Sequence, residues 1–366
     1  MKKILFLGSL RSGGAEHQMV VVASILKKEG YDVTYLCSEE SSFFKKDLDE
    51  ADIPIVRITN NKLASFLKLS IPRSAFIVYK TLKKEKYDTV VSFLGDWNFY
   101  NCITAKFKKT QHRVITAIRN NRDEVFLWRR EKFYYRYERY TYRKVSNSEA
   151  AKNKFAQYYP ELASKLMTIY NIVDLPPIVS SYTCKRDNRV NIIVPASYRE
   201  VKNPMRLLEA ITLMPIVDRN NIKIDWYGDI KSGQSLYNKM VDYIKANELE
   251  NVVVLHDATN DIANRVNEAD MIGLFSTSEG LPNSICEGMM LGKPVIMTKV
   301  SDFGVLVDKT NGFLCDSADT QSIKEALCAA AKCTVQDLVD MGNNSKQKAL
   351  KLFSKETIIE QWKQII

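Results

Sequence analysis

The chain has 366 residues, 45% of them hydrophobic and 26% charged, which is enough apolar material for packed cores and rules out global disorder. At roughly 150 residues per domain, the length points to two domains. No run approaches the about 18 apolar residues of a membrane span, so an integral helical membrane protein is excluded.

The net charge of +10 is lopsided. Residues 1–175 carry 31 Lys/Arg against 19 Asp/Glu, and residues 176–366 carry 22 against 24. The basic surface belongs to the first half and fits an anionic membrane face, a phosphorylated ligand or nucleic acid. Seven cysteines without a Cys-x-x-Cys pair argue for a reducing cytosol and against structural zinc.

Residues 4–8 form a short apolar run ending in glycine. The run then meets Arg11, Gly13, Gly14 and Glu16 with no small-residue cleavage site, and so reads as a strand, not a signal peptide. Apolar residues at helical spacing follow over 15–28, then a β-rich run at 33–37. Further buried-strand patterns lie at 89–94, 114–118 and 144–146, with helical stretches between them. Continuously apolar strands separated by helices predict a parallel sheet covered on both faces.

A double proline and the polar segment to Asn188 read as a linker. A second series of strands is predicted at 191–195, 223–226, 252–255, 271–275, 294–297 and 312–315. The last segment, 354–366, is amphipathic and starts at a capping serine. The expected architecture is α/β, with Rossmann-like doubly wound domains over 1–174 and 188–353 facing each other across a cleft. Open parallel sheets bind ligands at the carboxyl ends of their strands, so the loops there are the places to search.

The strongest pattern runs from Ser276 to Ile296: Ser-Thr-Ser-Glu279-Gly280-Leu281-Pro282-Asn283-Ser-Ile-Cys-Glu287, then Gly292-Lys-Pro-Val-Ile. Pro282 suits the first helical position and Gly292 the C-terminal cap. A helix start brings unpaired N–H groups and a positive dipole end, which suit a phosphate or diphosphate. Two carboxylates beside an anion site suit hydroxyl groups on either side of it, those of a ribose and a sugar.

This frame resembles the signature of the retaining GT-B glycosyltransferases, and of glycosyltransferase family 4 in particular. The resemblance covers nearly the whole chain in order. It implies that Glu279 contacts the donor sugar, with Glu287 on the nucleotide ribose. Gly280, Leu281 and Asn283 then lie against the diphosphate, Pro282 having no amide to give. Gly13-Gly14-Ala-Glu16 resembles the family's glycine loop, so Gly13 and Gly14 carry over as donor contacts.

The segment from Pro195 through Arg199 to Lys202-Asn203 resembles the loop whose Arg and Lys neutralise the diphosphate. The usual arginine position holds Ser197, and Arg199 is the substitute. Arg119-Asn120 stands where many members carry a catalytic histidine and resembles a variant found among builders of bacterial surface glycans, which often use UDP-N-acetylhexosamines. The three histidines, His17, His112 and His256, offer no replacement; His112 is expected to be exposed. Ser92 and Asn98 resemble an acceptor-facing loop. Tyr227-Gly228 and His256-Asp257 fall near the expected nucleobase pocket.

Asp47-x-Asp49 has the spacing of metal-dependent transferases, but in a charged helical segment. The resemblance implies no metal, and no cofactor beyond the nucleotide-sugar co-substrate. Lys202, Arg199 and helix amides would then stabilise the leaving diphosphate. It also implies that the 354–366 helix, with Trp362, crosses back to the first domain.

Residues 126–144 hold seven Lys/Arg and eight aromatics. Helical spacing would align Trp128, Tyr135 and Tyr142, with Arg129, Arg136 and Arg143 beside them. One reading is an ordinary packed helix with solvated charges. The other is an interfacial surface for a lipid-linked acceptor. No nucleic-acid module is present to support the third basic-surface option.

The expected function is retaining, metal-independent transfer of a hexose or N-acetylhexosamine from a nucleotide sugar, UDP favoured, to a glycan acceptor that is lipid-linked. The place is the cytoplasmic side, peripheral on the inner face of the membrane. Alternatives are a GT-B nucleotide-sugar epimerase and a non-catalytic subunit that binds nucleotide sugar or lipid.

Overall fold

The computed structural model describes residues 1–366 except 12, 39–41, 59–69, 107–111, 120–128, 174 and 176–188, and except the side chains of residues 70, 71 and 131. The chain divides into two compact units: Met1–Ile172 with Lys355–Ile366, and Val173–Ser354. The interdomain linker read from the double proline lies outside the described residues.

The first unit is built on a seven-stranded sheet: β1 (Lys3–Leu7), β2 (Asp32–Ser38), β3 (Ile55–Ile58), β4 (Thr89–Ser92), β5 (Arg113–Ile118), β6 (Arg143–Ser146) and β7 (Leu166–Thr168). Their order is β3-β2-β1-β4-β5-β6-β7, and every adjacent pair is parallel. The apolar runs explain this. Ile4–Leu7 and Val90–Val91 are buried on both faces, as helix-covered parallel strands must be.

The terminal helix Lys355–Ile365 completes the same unit. Its Ile358, Ile359, Trp362 and Ile365 are buried with β1, β4 and β5 residues, and Trp362 stacks on Phe93 at 5.8 Å between ring centroids. Lys2 Nζ donates to the Ile366 carbonyl at 2.7 Å.

The second unit is a six-stranded parallel sheet: β8 (Val190–Pro195), β9 (Ile222–Gly228), β10 (Val253–Asp257), β11 (Met271–Leu274), β12 (Val295–Thr298) and β13 (Gly312–Cys315). The order is β10-β9-β8-β11-β12-β13. One cluster of its core includes Trp226, Leu207, Met240 and Leu327. Lys293 is fully buried and donates to the Asn267 and Ala269 carbonyls at 2.6 and 2.8 Å. It thus satisfies carbonyls that the end of the Ile262–Glu268 helix leaves open.

In both sheets the order of strand addition reverses once, at β1/β4 and at β8/β11. Crossovers leave in opposite directions from such a point, so the loops after the two central strands part and leave a crevice. The glycine loop and residues 93–96 emerge at the first reversal. Residues 196–203 and 275–282 emerge at the second.

Two strands escaped the sequence reading. β3 is only partly buried and β7 is a three-residue edge strand, so neither shows a continuous apolar run. The long helix expected over 126–144 is also corrected. Helix is present at Arg129–Tyr135, a 3-10 turn at Glu138–Tyr140, and Arg143 opens β6. Pairing of residues 143–146 with β5 and β7 overrides the helical spacing. Tyr142 and Arg143 therefore do not continue a stripe with Tyr135 and Arg136. His112 is half-buried with both ring nitrogens inside, not exposed.

Trp362→Ala should cost about 3–5 kcal/mol by leaving a cavity beside Phe93. Hydrogen exchange should lose protection in residues 1–172 far more than in 173–354. Equal loss in both units would contradict the assignment of this helix to the first.

Candidate active site

The second unit gathers the strongest sequence pattern at one point. The loop after β11 is held by its neighbours on both sides. Thr277 N–H donates to the Val201 carbonyl at 2.9 Å, tying it to the loop after β8. Thr298 Oγ1, at the end of β12, donates to the Ser276 carbonyl at 2.6 Å, and the Ser301 hydroxyl donates to the Gly280 carbonyl. Four described non-glycine residues have positive φ, and two of them, Asn203 and Ser301, lie in these loops. Such conformations cost about 1–3 kcal/mol each and persist where surroundings over-determine them. At Asn203 the side chain donates to the Ser317 carbonyl at 2.9 Å, and Arg206 Nη1 donates to the same oxygen at 2.9 Å.

Within this frame, Glu279 Oε1 accepts from Lys202 Nζ at 2.6 Å and from Ser276 Oγ at 2.6 Å. The ion pair is mostly shielded, at 22% and 14% side-chain exposure, so it is stronger than a surface pair. Gly280 and Leu281 follow directly, Leu281 buried, and the next helix is Asn283–Met290.

That helix starts one residue later than expected. Pro282 occupies the cap position, its carbonyl accepting from Ile285 N–H at 3.0 Å, and no side chain caps the end. The first amides, at Asn283 and Ser284, and the positive dipole end sit where the Glu279 loop arrives. Four residues into the helix, burial pushes the Glu287 carboxyl up to about 7. Arg199 is exposed at the start of the 3-10 turn that contains Lys202.

Tyr227 and His256 are register partners on β9 and β10. Their rings stack at 4.3 Å and 10°, and His256 Nε2 lies 2.8 Å from Asp225 Oδ1. The Tyr198 hydroxyl donates to the His256 carbonyl at 2.7 Å, and Trp226 Nε1 to the Ala196 carbonyl at 2.7 Å. The β8 loop is therefore pinned to the next two strands. A Cβ at Gly228 would sit 2.4 Å from the Ala196 carbonyl oxygen, so this contact requires glycine.

In the first unit a cavity of about 570 Å³ opens at the sheet reversal. Gly13 precedes the Gly14–Lys28 helix as its N-cap. A Cβ there would lie 2.5 Å from Glu16 Oε2, and Glu16 Oε1 accepts from Ser9 Oγ at 2.8 Å. Arg119 lies in the cavity wall, with Nη1 2.8 Å from Asn171 Oδ1 and the guanidinium 3.8 Å from the Phe93 ring centroid. Burial pushes this guanidinium down to about 9, so it stays cationic at neutral pH.

Asn98 also lines the cavity, but its amide is committed: it accepts from Ser92 Oγ and donates to the Ala117 carbonyl, both at 2.9 Å. Asn120 and Trp128 lie outside the described residues. Arg129 and Arg136 are exposed.

Sequence reasoning missed two groups in this cavity. Asp96 accepts from the Tyr134 hydroxyl at 2.9 Å and pairs with Arg130 at 3.7 Å. Deeper, the Lys144–Glu138 ion pair at 2.8 Å is almost wholly buried, with Thr116 Oγ1 donating to Glu138 at 2.9 Å. No spacing rule links Glu138 to Lys144, because a turn and a strand start separate them. Asp49, of the Asp-x-Asp spacing, forms an ion pair with Lys45.

Two parallel α/β units and a Lys-carboxylate-amide site at a strand reversal define a glycosyltransferase of GT-B architecture. A family profile described as Glycosyltransferase Family 4 matches residues 12–176, and one described as Glycosyl transferases group 1 matches 183–348. The chain belongs to this family.

Over its whole length it is 26% identical to 98% of a Campylobacter jejuni protein named GalNAc-alpha-(1->4)-GalNAc-alpha-(1->3)-diNAcBac-PP-undecaprenol alpha-1,4-N-acetyl-D-galactosaminyltransferase. Over 90% of its length it is 24% identical to 87% of the Escherichia coli UDP-Gal:alpha-D-GlcNAc-diphosphoundecaprenol alpha-1,3-galactosyltransferase. Among solved structures, Anabaena HepE in complex with UDP and glucose aligns over 100% of this chain and 99% of that one, at TM-score 0.81 and 22% identity.

The Glu287 shift sets a pH dependence. A carboxyl raised in the folded state favours its neutral form there, so its stabilising contribution is complete below about 4.5 and is lost as pH rises through about 7. Glu287→Gln should therefore gain stability over the parent between pH 5 and 8, by roughly 1–3 kcal/mol at the upper end. Denaturant melts at both pH values check this; a pH-independent difference would refute it.

Proposed function

We propose that this chain transfers a hexose or N-acetylhexosamine from a UDP-sugar to a lipid-linked glycan, with retention at the anomeric carbon and without a metal. The site of action is the inner face of the cell membrane, in assembly of a bacterial surface glycan. The observation that carries the reading is the Lys202–Glu279–Ser276 cluster beside the Asn283 helix start. The relatives named for undecaprenol-diphosphate acceptors support the acceptor class, since both match along most of their length.

In this reading Lys202, Arg199 and the amides about Gly280, Leu281 and Asn283 hold the donor diphosphate. Glu279 accepts hydrogen bonds from the sugar hydroxyls, and Glu287 accepts them from the ribose. Tyr227 and His256 offer a flat aromatic edge to the base. Gly13 and Gly14 admit the donor from the first unit, whose cavity takes the acceptor, and Arg119 supplies positive charge there.

The bond from the anomeric carbon to the diphosphate oxygen breaks as the acceptor oxygen attacks the same face. The acceptor proton passes to the departing phosphate oxygen, whose growing charge Lys202 neutralises. A double displacement would need a carboxylate nucleophile placed on the opposite face.

Lys202 is held by Glu279 before donor binds. The incoming diphosphate therefore exchanges one anion for another at the ammonium, and Glu279 is released toward the sugar.

Thermal melts with UDP, GDP and ADP should show a selective upward shift for UDP that EDTA does not remove. Glu279→Gln should keep that shift and lose at least about 10²-fold in transfer to an undecaprenyl-diphosphate-linked glycan. Near-parental turnover in this variant, or a shift that EDTA abolishes, would overturn the reading.

A further inference from the structure

A second concavity in the first unit lies away from the strand reversal. It is a pocket of about 280 Å³ lined by Lys106, Phe133, Arg136, Tyr137 and Arg139. Lys106 follows the Gly95–Ala105 helix, Phe133 lies on the Arg129–Tyr135 helix, and Arg139 is on the 3-10 turn after it. All three cations are exposed, and none makes an ion pair with a described residue.

Two features separate this pocket from an ordinary solvated basic face. First, three cationic residues line one hollow, so an anion that enters meets a positive field there. The one described carboxylate of the adjoining turn, Glu138, is turned inward to Lys144, and no acid is among the residues that line the pocket.

Second, the aromatic wall is rigid and rooted in the core. Phe133 is 49% exposed, yet it packs on Phe99 at 5.7 Å and on Tyr137 at 5.5 Å. Phe99 is buried and stacks in turn on buried Tyr134 at 4.5 Å. Phe133 thus stands out as a fixed projection.

We propose that this pocket seats the phosphate of an anionic phospholipid headgroup, with Phe133 inserted to the depth of the acyl boundary. The three cations suit a singly charged phosphodiester oxygen pair through charge-assisted hydrogen bonds. The projecting ring supplies the apolar contact that a soluble anion would not use. Exposed Arg129 and Lys132 on the same helix as Phe133 extend the positive face over neighbouring headgroups. The seat rests on the reading above only in that a lipid-linked acceptor requires the enzyme at a bilayer.

The full chain should bind phosphatidylcholine vesicles containing phosphatidylglycerol, and pure phosphatidylcholine vesicles far less, with binding that weakens as salt is added. Lys106→Glu with Arg139→Glu should lower partition onto the anionic vesicles by at least about tenfold. Phe133→Ser should also lower it, in a way that persists at high salt, since the lost contact is apolar. UDP-induced melting shifts measured on the same variants report the second unit, and should match the parent if the fold is intact.

Absence of binding by the parent, or binding unchanged in both variants, overturns the proposal. So does tighter binding of a single-stranded RNA oligonucleotide than of vesicles at equal salt. Vesicle binding without any UDP shift in the parent would instead sink the glycosyltransferase reading while leaving the seat standing.

Discussion

Everything in the second unit's site depends on one shared oxygen. Glu279 Oε1 accepts from Lys202 and from Ser276, and those two groups belong to loops after different strands. The carboxylate cross-links β8 and β11 at the point where the sheet reverses. Parallel pairing makes this possible: all six strands end on the same edge, so residues 77 apart in sequence arrive at one place. Remove that constraint and Lys202 is simply an exposed lysine on a turn.

The rest of the unit reads as support for that placement. Asn203 and Ser301 hold left-handed backbone; the side chain of the first donates to the Ser317 carbonyl after β13, and that of the second to the Gly280 carbonyl. The Thr298 hydroxyl and the Thr277 amide fix the Glu279 loop from either side. A preorganised site of this kind does not pay for loop ordering when a charged ligand arrives. The half-buried Glu287 stores a cost of the opposite sort. Its ionised form is disfavoured by desolvation until hydroxyl donors reach it. The two glutamates of one motif thus sit in different surroundings: Glu279 beside a lysine, Glu287 desolvated by burial.

Much of this was legible in the residues. Most of the second unit's strands follow short apolar runs, β9 alternates instead, and all six were placed within a few residues. The Glu279-to-Glu287 frame could be read because it occupies one contiguous stretch. Gly292 also announced itself through chain chemistry, as a glycine at a helix end with positive φ.

What stayed hidden was of another kind. β3 and β7 are short and half-exposed, so burial did not mark them. The cluster Asp96–Arg130–Tyr134 and the pair Glu138–Lys144 join residues from separate elements, and periodicity carries no information about such meetings.

The segment from Arg129 to Lys144 shows why composition alone could not decide between a packed helix and a surface. The answer differs residue by residue. Tyr134 is buried against Phe99, Tyr135 packs edge-on to Phe155, and Phe133 projects outward. Lys144 enters the interior, held by Glu138 and lying 4.9 Å from the Phe155 ring, while Arg136 and Arg139 remain outside. Burying one cation with its own carboxylate removes that acid from the surface. Arg136 and Arg139, both exposed, then have no ion pair with a described acid. A buried pair is weak evidence for stability. Here its larger consequence is electrostatic: Glu138 goes into the core with Lys144, while Arg129, Lys132, Arg136 and Arg139 face outward.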